Sequence, residues 1–299
     1  MDANICSNFL LVRNWFPDNL IDGQYKIVDD QHLKKYCSGN SCDSDLEKIN
    51  AGCLYLFNEF FGSSEYFESV AKSNTHIVEY IMIWLSYMLN LKENNDNQIS
   101  ALQHFYTTYI NKQERYTNTI TDVTEYNSYK DLIDKTNMVN MDIKDISKFY
   151  SAFKLLCEMY TGFDTNTSNC SCSEKANKFV EEYKELNNNN NKGSSYNKIL
   201  STLSTEYNKL KNECKDAQGS NFPPLSEINT SKISVKSFEE TSAQTSVATS
   251  SNSSIGNKLF TVLSIFGAIA FFLGISYKYS LFGFRKRPPK QHLRGKLKK

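Results

Sequence analysis

From Leu259 to Tyr277 the chain reads LFTVLSIFGAIAFFLGISY, 19 residues without a charge, set between Lys258 and Lys278. As a helix this stretch spans about 28 Å, close to the thickness of a bilayer's hydrocarbon core. A buried helix of a soluble domain is the competing reading, but nothing downstream offers a surface to pack around it. The last 22 residues hold Lys278, Arg285, Lys286, Arg287, Lys290, Arg294, Lys296, Lys298 and Lys299, nine cations with no acid. By the positive-inside rule that tail is cytoplasmic, Tyr277 and Tyr279 fit the interfacial aromatic belt, and the first 258 residues lie outside or in a lumen. Ser264 and Ala268, and Ala270 and Gly274, have the spacing of small residues that lets two helices approach, although such residues are common in any membrane span.

The span also explains the charge balance. All 299 residues carry 34 Lys plus Arg against 33 Asp plus Glu, a net charge of +1, yet the first 277 hold 25 cations and 33 acids. The neutral average joins an acidic body to a basic tail, as expected of segments that face different environments. At the other end, MDANICSNFLLVRNWF has Asp2 where a signal peptide needs basic residues, and the apolar run from Phe9 to Val12 is too short. No cleavable signal is therefore expected, and either the internal span directs insertion or an unusual export route operates. Ile77 to Leu91 is apolar but short and contains Glu79, so it reads as a core helix.

Eight cysteines, Cys6, Cys37, Cys42, Cys53, Cys157, Cys170, Cys172 and Cys214, all precede the span. An even number confined to the outward part predicts disulfides formed in an oxidising compartment, with pairing left open by the sequence. Cys170 and Cys172 are too close in sequence to favour a bond to each other, so each is expected to reach a different helix. Zinc held by Cys37, Cys42 and Cys53 with His32 is the rival, but the paired C-x2-C spacing of zinc ribbons is missing.

Apolar periodicity is helical along the outer part, and the expected fold class is all-α. Asp45 to Phe61 places Leu46, Ile49, Cys53, Leu56, Phe57 and Phe60 on one face, with Ser44 or Asp45 as N-cap and Gly62 as stop. Ile143 to Tyr160, a helix capped by Ser173, and Tyr196 to Cys214 repeat the pattern, and Ile99 to Tyr116 is also expected to be helical. Aromatic stripes of this kind are core far more often than ligand sites. Polar loops separate them: Lys92 to Gln98, Thr117 to Asn140 and Asn187 to Ser195, in a chain with 32 Asn. Such loops tolerate change.

Between Ser226 and Gly256, 14 of 31 residues are Ser or Thr, too few apolar groups to offset ordering. The expected organisation is a helical Cys-rich ectodomain at 1–216, a disordered stalk at 217–257, a membrane helix at 258–278 and a basic tail at 279–299. Asn166, Asn169, Asn229 and Asn252 match the glycosylation sequon, which so Asn-, Ser- and Thr-rich a chain produces by chance.

No catalytic constellation is legible. The four histidines, His32, His76, His104 and His292, accompany no nucleophile motif, glycine-rich phosphate loops are missing, and adjacent acids such as Asp29 and Asp30 read as solvated. No cofactor is expected. Arg285, Lys286, Arg287, Lys290 and Arg294, directly after a span, suit anionic lipid head groups or an acidic cytoskeletal partner better than nucleic acid.

Specific residues then point to a family. Cys6, Phe9, Phe16-Pro17-Asp18, Tyr36-Cys37, Cys42 and Glu47-Lys48-Ile49-Asn50-Ala51-Gly52-Cys53-Leu54-Tyr55-Leu56 resemble the N-terminal region of the PIR variant antigens of malaria parasites, the rodent-parasite branch in particular. Phe149-Tyr150, Phe153-Lys154, Cys157, Cys172, Phe179-Val180, Tyr183, Ile199 to Ser204, Tyr207, Cys214 and Phe222-Pro223-Pro224-Leu225 continue the likeness. It is strongest from Lys258-Leu259 through the span to Tyr277-Lys278-Tyr279-Ser280-Leu281-Phe282-Gly283-Phe284-Arg285-Lys286-Arg287. Gly295 stands where the family usually has an acid, and a longer Lys-rich end is usual. The resemblance implies a non-enzymatic antigen of blood-stage parasites, displayed at infected red-cell or parasite membranes, linked to antigenic variation and facing an unnamed host-cell ligand. It carries over no binding residues.

Overall fold

The computed structural model describes residues 1–228 apart from 30, 73, 75, 93–99, 121–122, 165–168, 171, 190–192, 216 and 218–220. The expected span, the tail and residues 229–257 of the expected stalk lie outside the described residues. Among the described residues, no helix is long and apolar enough to cross a membrane.

Eleven α-helical segments are present among the described residues. α1 (Ala3–Trp15) begins where the Asp2 side chain accepts from the Ile5 N–H and buries Ile5, Cys6, Phe9 and Val12. α2 (Asp45–Phe61) starts on a full capping box, Ser44 with Glu47, and stops at Gly62 as its sequence predicts. α3 (Ser64–Tyr66) runs into a π-helical turn over Phe67–Ala71. α4 (Ile77–Asn90) is buried on nearly every side, as a core helix must be. α5 (Ala101–Phe105) widens to a π-helical turn, Tyr106–Ile110, before a break at Gln113 and the short α6 (Glu114–Thr117). The single helix expected over Ile99 to Tyr116 is thus three pieces.

α7 (Tyr129–Thr136) falls inside the stretch expected to be loop, Thr117 to Asn140. The segment is anchored because Tyr126, Tyr129, Ile133 and Met138 turn inward, and the Tyr126 hydroxyl donates to the Phe61 carbonyl at 2.8 Å. Four apolar side chains among many polar ones outweigh the average polarity of the segment. α8 (Ile143–Ser147) and α9 (Phe149–Gly162) divide at Lys148 what periodicity joins. A two-residue hairpin follows, β1 (Phe163–Asp164) pairing antiparallel with β2 (Asn169–Cys170), the one departure from helix among the described residues' named elements. α10 (Ser173–Asn188) has Cys172, not Ser173, at its N-cap position, and α11 (Ser194–Glu213) closes the bundle.

α9 lies at the centre, packed against α1, α4, α10 and α11. Its Phe153 ring meets Phe9 of α1 edge-on at 4.9 Å and stacks on Tyr80 of α4 at 5.1 Å. Three buried carboxylates tie the layers. Asp18 is held by Lys154 Nζ at 2.9 Å, the Tyr150 hydroxyl at 3.0 Å and Arg13 Nε at 3.4 Å. Glu79 takes His76 Nδ1 at 2.8 Å and Lys198 Nζ at 2.6 Å. Glu206 takes the Met1 ammonium at 2.7 Å and the Tyr160 hydroxyl at 3.2 Å. Each carboxylate is buried and paired, which is the condition under which burying it is tolerable.

The folded domain does not end at residue 216. Phe222 packs on the Tyr207 ring at 5.5 Å, the Tyr207 hydroxyl donates to the Pro223 carbonyl at 2.8 Å, and Asn187 Nδ2 donates to the Glu227 carbonyl at 2.8 Å. Residues 221–228, expected as the start of a disordered stalk, are held against α10 and α11 because Phe222 and Leu225 supply the apolar contacts that the later Ser/Thr-rich sequence lacks.

Candidate functional site

The cysteines divide into three kinds. Cys6 of α1 bonds to Cys157 of α9 with the Cα atoms 4.8 Å apart and 151 residues between them. Cys37 bonds to Cys42, only five residues on. In the loop-entropy account the first closure is worth about 5 kcal/mol and the second about 2 kcal/mol, so the long bridge braces the bundle and the short one shapes a turn. Cys172 is also disulfide-bonded, while the side chain of Cys170 lies outside the described residues. Cys53 and Cys214 are free and buried.

That last finding corrects the expectation that all eight cysteines pair. Cys53 sits on the inner face of α2 among apolar residues, against the Tyr116 hydroxyl, and burial pushes its thiol up to about 12. Burial likewise raises Cys214 to about 11, with Glu213 adding to it. An apolar stripe hides a cysteine whether or not a partner stands across from it. The zinc alternative fails at the same place: Cys37 and Cys42 spend their sulfurs on each other, and His32 stacks on Trp15 at 4.1 Å. Among the described residues no cluster of His, Cys, Asp or Glu is arranged to hold a metal ion.

Among the described residues, several unpaired groups converge beside the disulfide turn. The disulfide turn after Lys34–Tyr36 lies against α2, α6 and α7, and two adjoining cavities of about 340 and 310 Å3 share Tyr36 and Arg115 in their walls. The first continues along Cys37, Ser38 and Gly39 to Gln113 and Glu114; the second has Leu54 and Tyr129 beneath and Lys35 and Asn58 at its sides. Lys35 Nζ lies 4.9 Å from the Tyr36 ring centroid. The Tyr36 hydroxyl is buried without a hydrogen-bond partner, and burial followed by the charge of Glu59 raises that phenol far above its ordinary range.

Only two arginines precede the expected span. Arg13 is committed to Glu158 at 2.9 Å and to Asp18, whereas Arg115 is exposed and makes no ion pair with any described residue. Sequence reasoning passed over Lys35, Tyr36 and Arg115. The available signal was that rarity of arginine, but nothing local distinguishes the arginine that is paired from the one that is not.

A family model described as Plasmodium variant antigen protein Cir/Yir/Bir matches residues 6–278. The chain belongs to this family. A solved structure described as a Plasmodium PIR protein ectodomain is similar to this PIR chain at 32% sequence identity, over 75% of this chain and 97% of that one, with a TM-score of 0.58. No curated protein matches. The resemblance read from the cysteine, Asn50-to-Leu56 and C-terminal motifs is therefore shown, and with it a variant surface antigen and not a member of a known enzyme family. The described helices correspond to the part that the solved relative comprises, described there as an ectodomain.

Proposed function

We propose that the chain is a single-pass membrane antigen displayed at the surface of the infected red cell or the parasite, with the helical domain outward and residues 279–299 in the cytoplasm. Its role is antigenic variation and contact with a host-cell ligand. The observation that carries this reading is the reach of the family match, which takes in both the helical domain and the uncharged span to residue 278. The interior supports it: the Cys6–Cys157 bridge, the Phe9–Phe153–Tyr80 contacts and the buried Glu79 and Glu206 join α1, α4, α9 and α11, while α7, α10 and the connecting loops present exposed polar residues at the surface. Substitutions there change the surface and leave the scaffold.

Limited proteolysis of intact infected cells tests this directly. Release of a fragment containing α1 to α11 is expected; full protection of that fragment rejects surface display. A second reading rests on the nine cations of the last 22 residues, which suit a tail that binds anionic lipid or cytoskeleton and directs the protein to a membrane. Replacing Arg285, Lys286, Arg287, Lys290 and Arg294 with Gln separates the two, since a tail that serves only as address changes location and leaves ligand binding by the ectodomain intact.

A further inference from the structure

We infer that the cleft between the Cys37–Cys42 turn, α2 and α6 binds an acidic sugar, a saccharide carrying a single carboxylate or sulfate, with Arg115 and Lys35 taking the anion and Tyr36 lying beneath the ring.

The argument starts from what is unpaired. Lys35 and Arg115 are exposed and form no ion pair among the described residues, whereas Lys48 and Lys92 are both paired with Asp45. An arginine fork matches the two oxygens of a carboxylate or sulfate, and that geometry is idle here. Asn58 has no side-chain partner among the described residues, and Gln113 uses only its Oε1, which accepts from Asn50 Nδ2 at 3.2 Å. Two amides with unused hydrogen-bonding atoms thus flank two unpaired cations.

The second consideration selects the ligand. Glu114 is in the wall, and Glu59 acts as a negative charge on Tyr36, Tyr55 and Tyr129. A polyanion would meet those carboxylates; a ligand with one anion among neutral hydroxyls instead donates to them. Sugar rings present such hydroxyls at the edge and C–H groups on the face, and the apolar floor of Leu54, Tyr36 and Tyr129 suits that face. A mainly apolar floor with a few convergent polar groups is the usual make-up of a small-ligand site. The turn that carries Lys35 and Tyr36 is fastened at one side by Cys37–Cys42 and at the other by the edge-on packing of Tyr36 on Tyr55 at 6.3 Å, so the cleft is formed before a ligand arrives.

This inference deepens the reading of an outward-facing antigen and rests on it for its biological meaning, but its test does not. Detergent-solubilised full-length protein is presented to a sialylated trisaccharide, a singly sulfated disaccharide and their uncharged parents, and binding is followed by surface plasmon resonance. Saturable binding of the sialylated or the sulfated probe is expected, which tells carboxylate from sulfate. Arg115→Ala and Lys35→Ala each weaken it about tenfold, the scale of one lost charge-assisted hydrogen bond. Lys178→Ala on α10 leaves it unchanged, and Tyr36→Phe, which keeps the ring, retains most of it. Thermal unfolding of every variant is recorded beside the binding, and both cations are exposed, so their removal leaves the melting point in place. Absence of saturable binding by both charged probes, equal binding of the uncharged parents, or equal loss in Lys178→Ala overturns the proposal. Such failure leaves surface display standing, because display is read from proteolysis of cells.

Discussion

Gly52 of α2 and Trp84 of α4 touch so closely that a β-carbon on Gly52 would lie 2.6 Å from the indole Cη2 and 3.1 Å from Cζ2. Intrinsic preference favours Ala over Gly at a helix interior by about 1 kcal/mol, yet the glycine lets the largest fully buried side chain approach the α2 backbone. Gly52→Ala is therefore expected to destabilise by about 1–3 kcal/mol through overpacking, despite its better helix propensity. Thermal unfolding measures it, and Trp84→Phe in the same chain should recover part of the loss. A stabilised Gly52→Ala protein would show the packing to be wrong.

The two bridges differ in what they brace. Cys6→Ser with Cys157→Ser is expected to lower unfolding free energy by about 3–5 kcal/mol, against about 2 kcal/mol or less for Cys37→Ser with Cys42→Ser. Denaturant unfolding of the two double variants, compared with wild type, gives the order. The reverse order contradicts the assignment of the long bridge as the brace of α1 on α9.

Thiol chemistry separates the free pair from the bonded cysteines. With Cys53 near 12 and Cys214 near 11, neither carries appreciable thiolate at pH 8. Alkylation of the native protein should spare both. In denaturant without reductant, peptide mapping should find them modified while Cys6, Cys37, Cys42, Cys157 and Cys172 remain blocked until reduction.

Two pH limbs follow from the buried groups. Burial pushes Tyr25, Tyr55, Tyr129 and Tyr196 each up to about 12. Because these folded-state values exceed the ordinary value of about 10, the stabilisation is complete below that pH and disappears as pH rises through 12. Absorbance near the phenolate band should show these buried tyrosines ionising together with unfolding. Burial acts to raise Glu79, but the hydrogen bonds and charges of His76 and Lys198 outweigh it and hold the carboxyl below its ordinary range. Its contribution is present above about pH 4.5 and is lost as pH falls through the lowered value. Glu79→Gln should flatten that acid limb in a plot of unfolding midpoint against pH; an unchanged limb would place the acid-sensitive group elsewhere.

Losing Glu206 leaves more than one group unpaired. Glu206→Leu removes the carboxylate from the buried Met1 ammonium and the Tyr80 hydroxyl at once, while Tyr160 keeps the residue 206 backbone carbonyl, and a loss of about 3–5 kcal/mol in denaturant unfolding is expected. Glu206→Gln, which keeps the hydrogen bonds and removes the charge, should lie between wild type and Leu.

Much of the helix pattern was legible before any coordinates. Ser44 caps α2, Gly62 ends it, and the stripe from Ile49 to Phe60 faces inward, because caps and apolar spacing are decided within a few residues. The same short-range logic failed at Thr117 to Asn140, where average polarity masked four inward side chains, and at residues 221–228, where Phe222 and Leu225 were read with the Ser/Thr tract behind them.

Cys53 and Cys157 mark the division. Both stand on apolar helical stripes, and no feature of either stripe distinguishes them. One is bonded and the other free because bonding needs a second cysteine with its Cα within about 7 Å, a distance between segments far apart in the chain. The cleft at Tyr36 has the same origin: Lys35 and Arg115 are 80 positions apart, and only the packing of α2 between them makes them neighbours. The sequence by itself determined helices, the uncharged span, the split of charge across it and the family; which cysteines pair and which cations are left unpaired were decided by tertiary structure, since both depend on distances that local pattern does not encode.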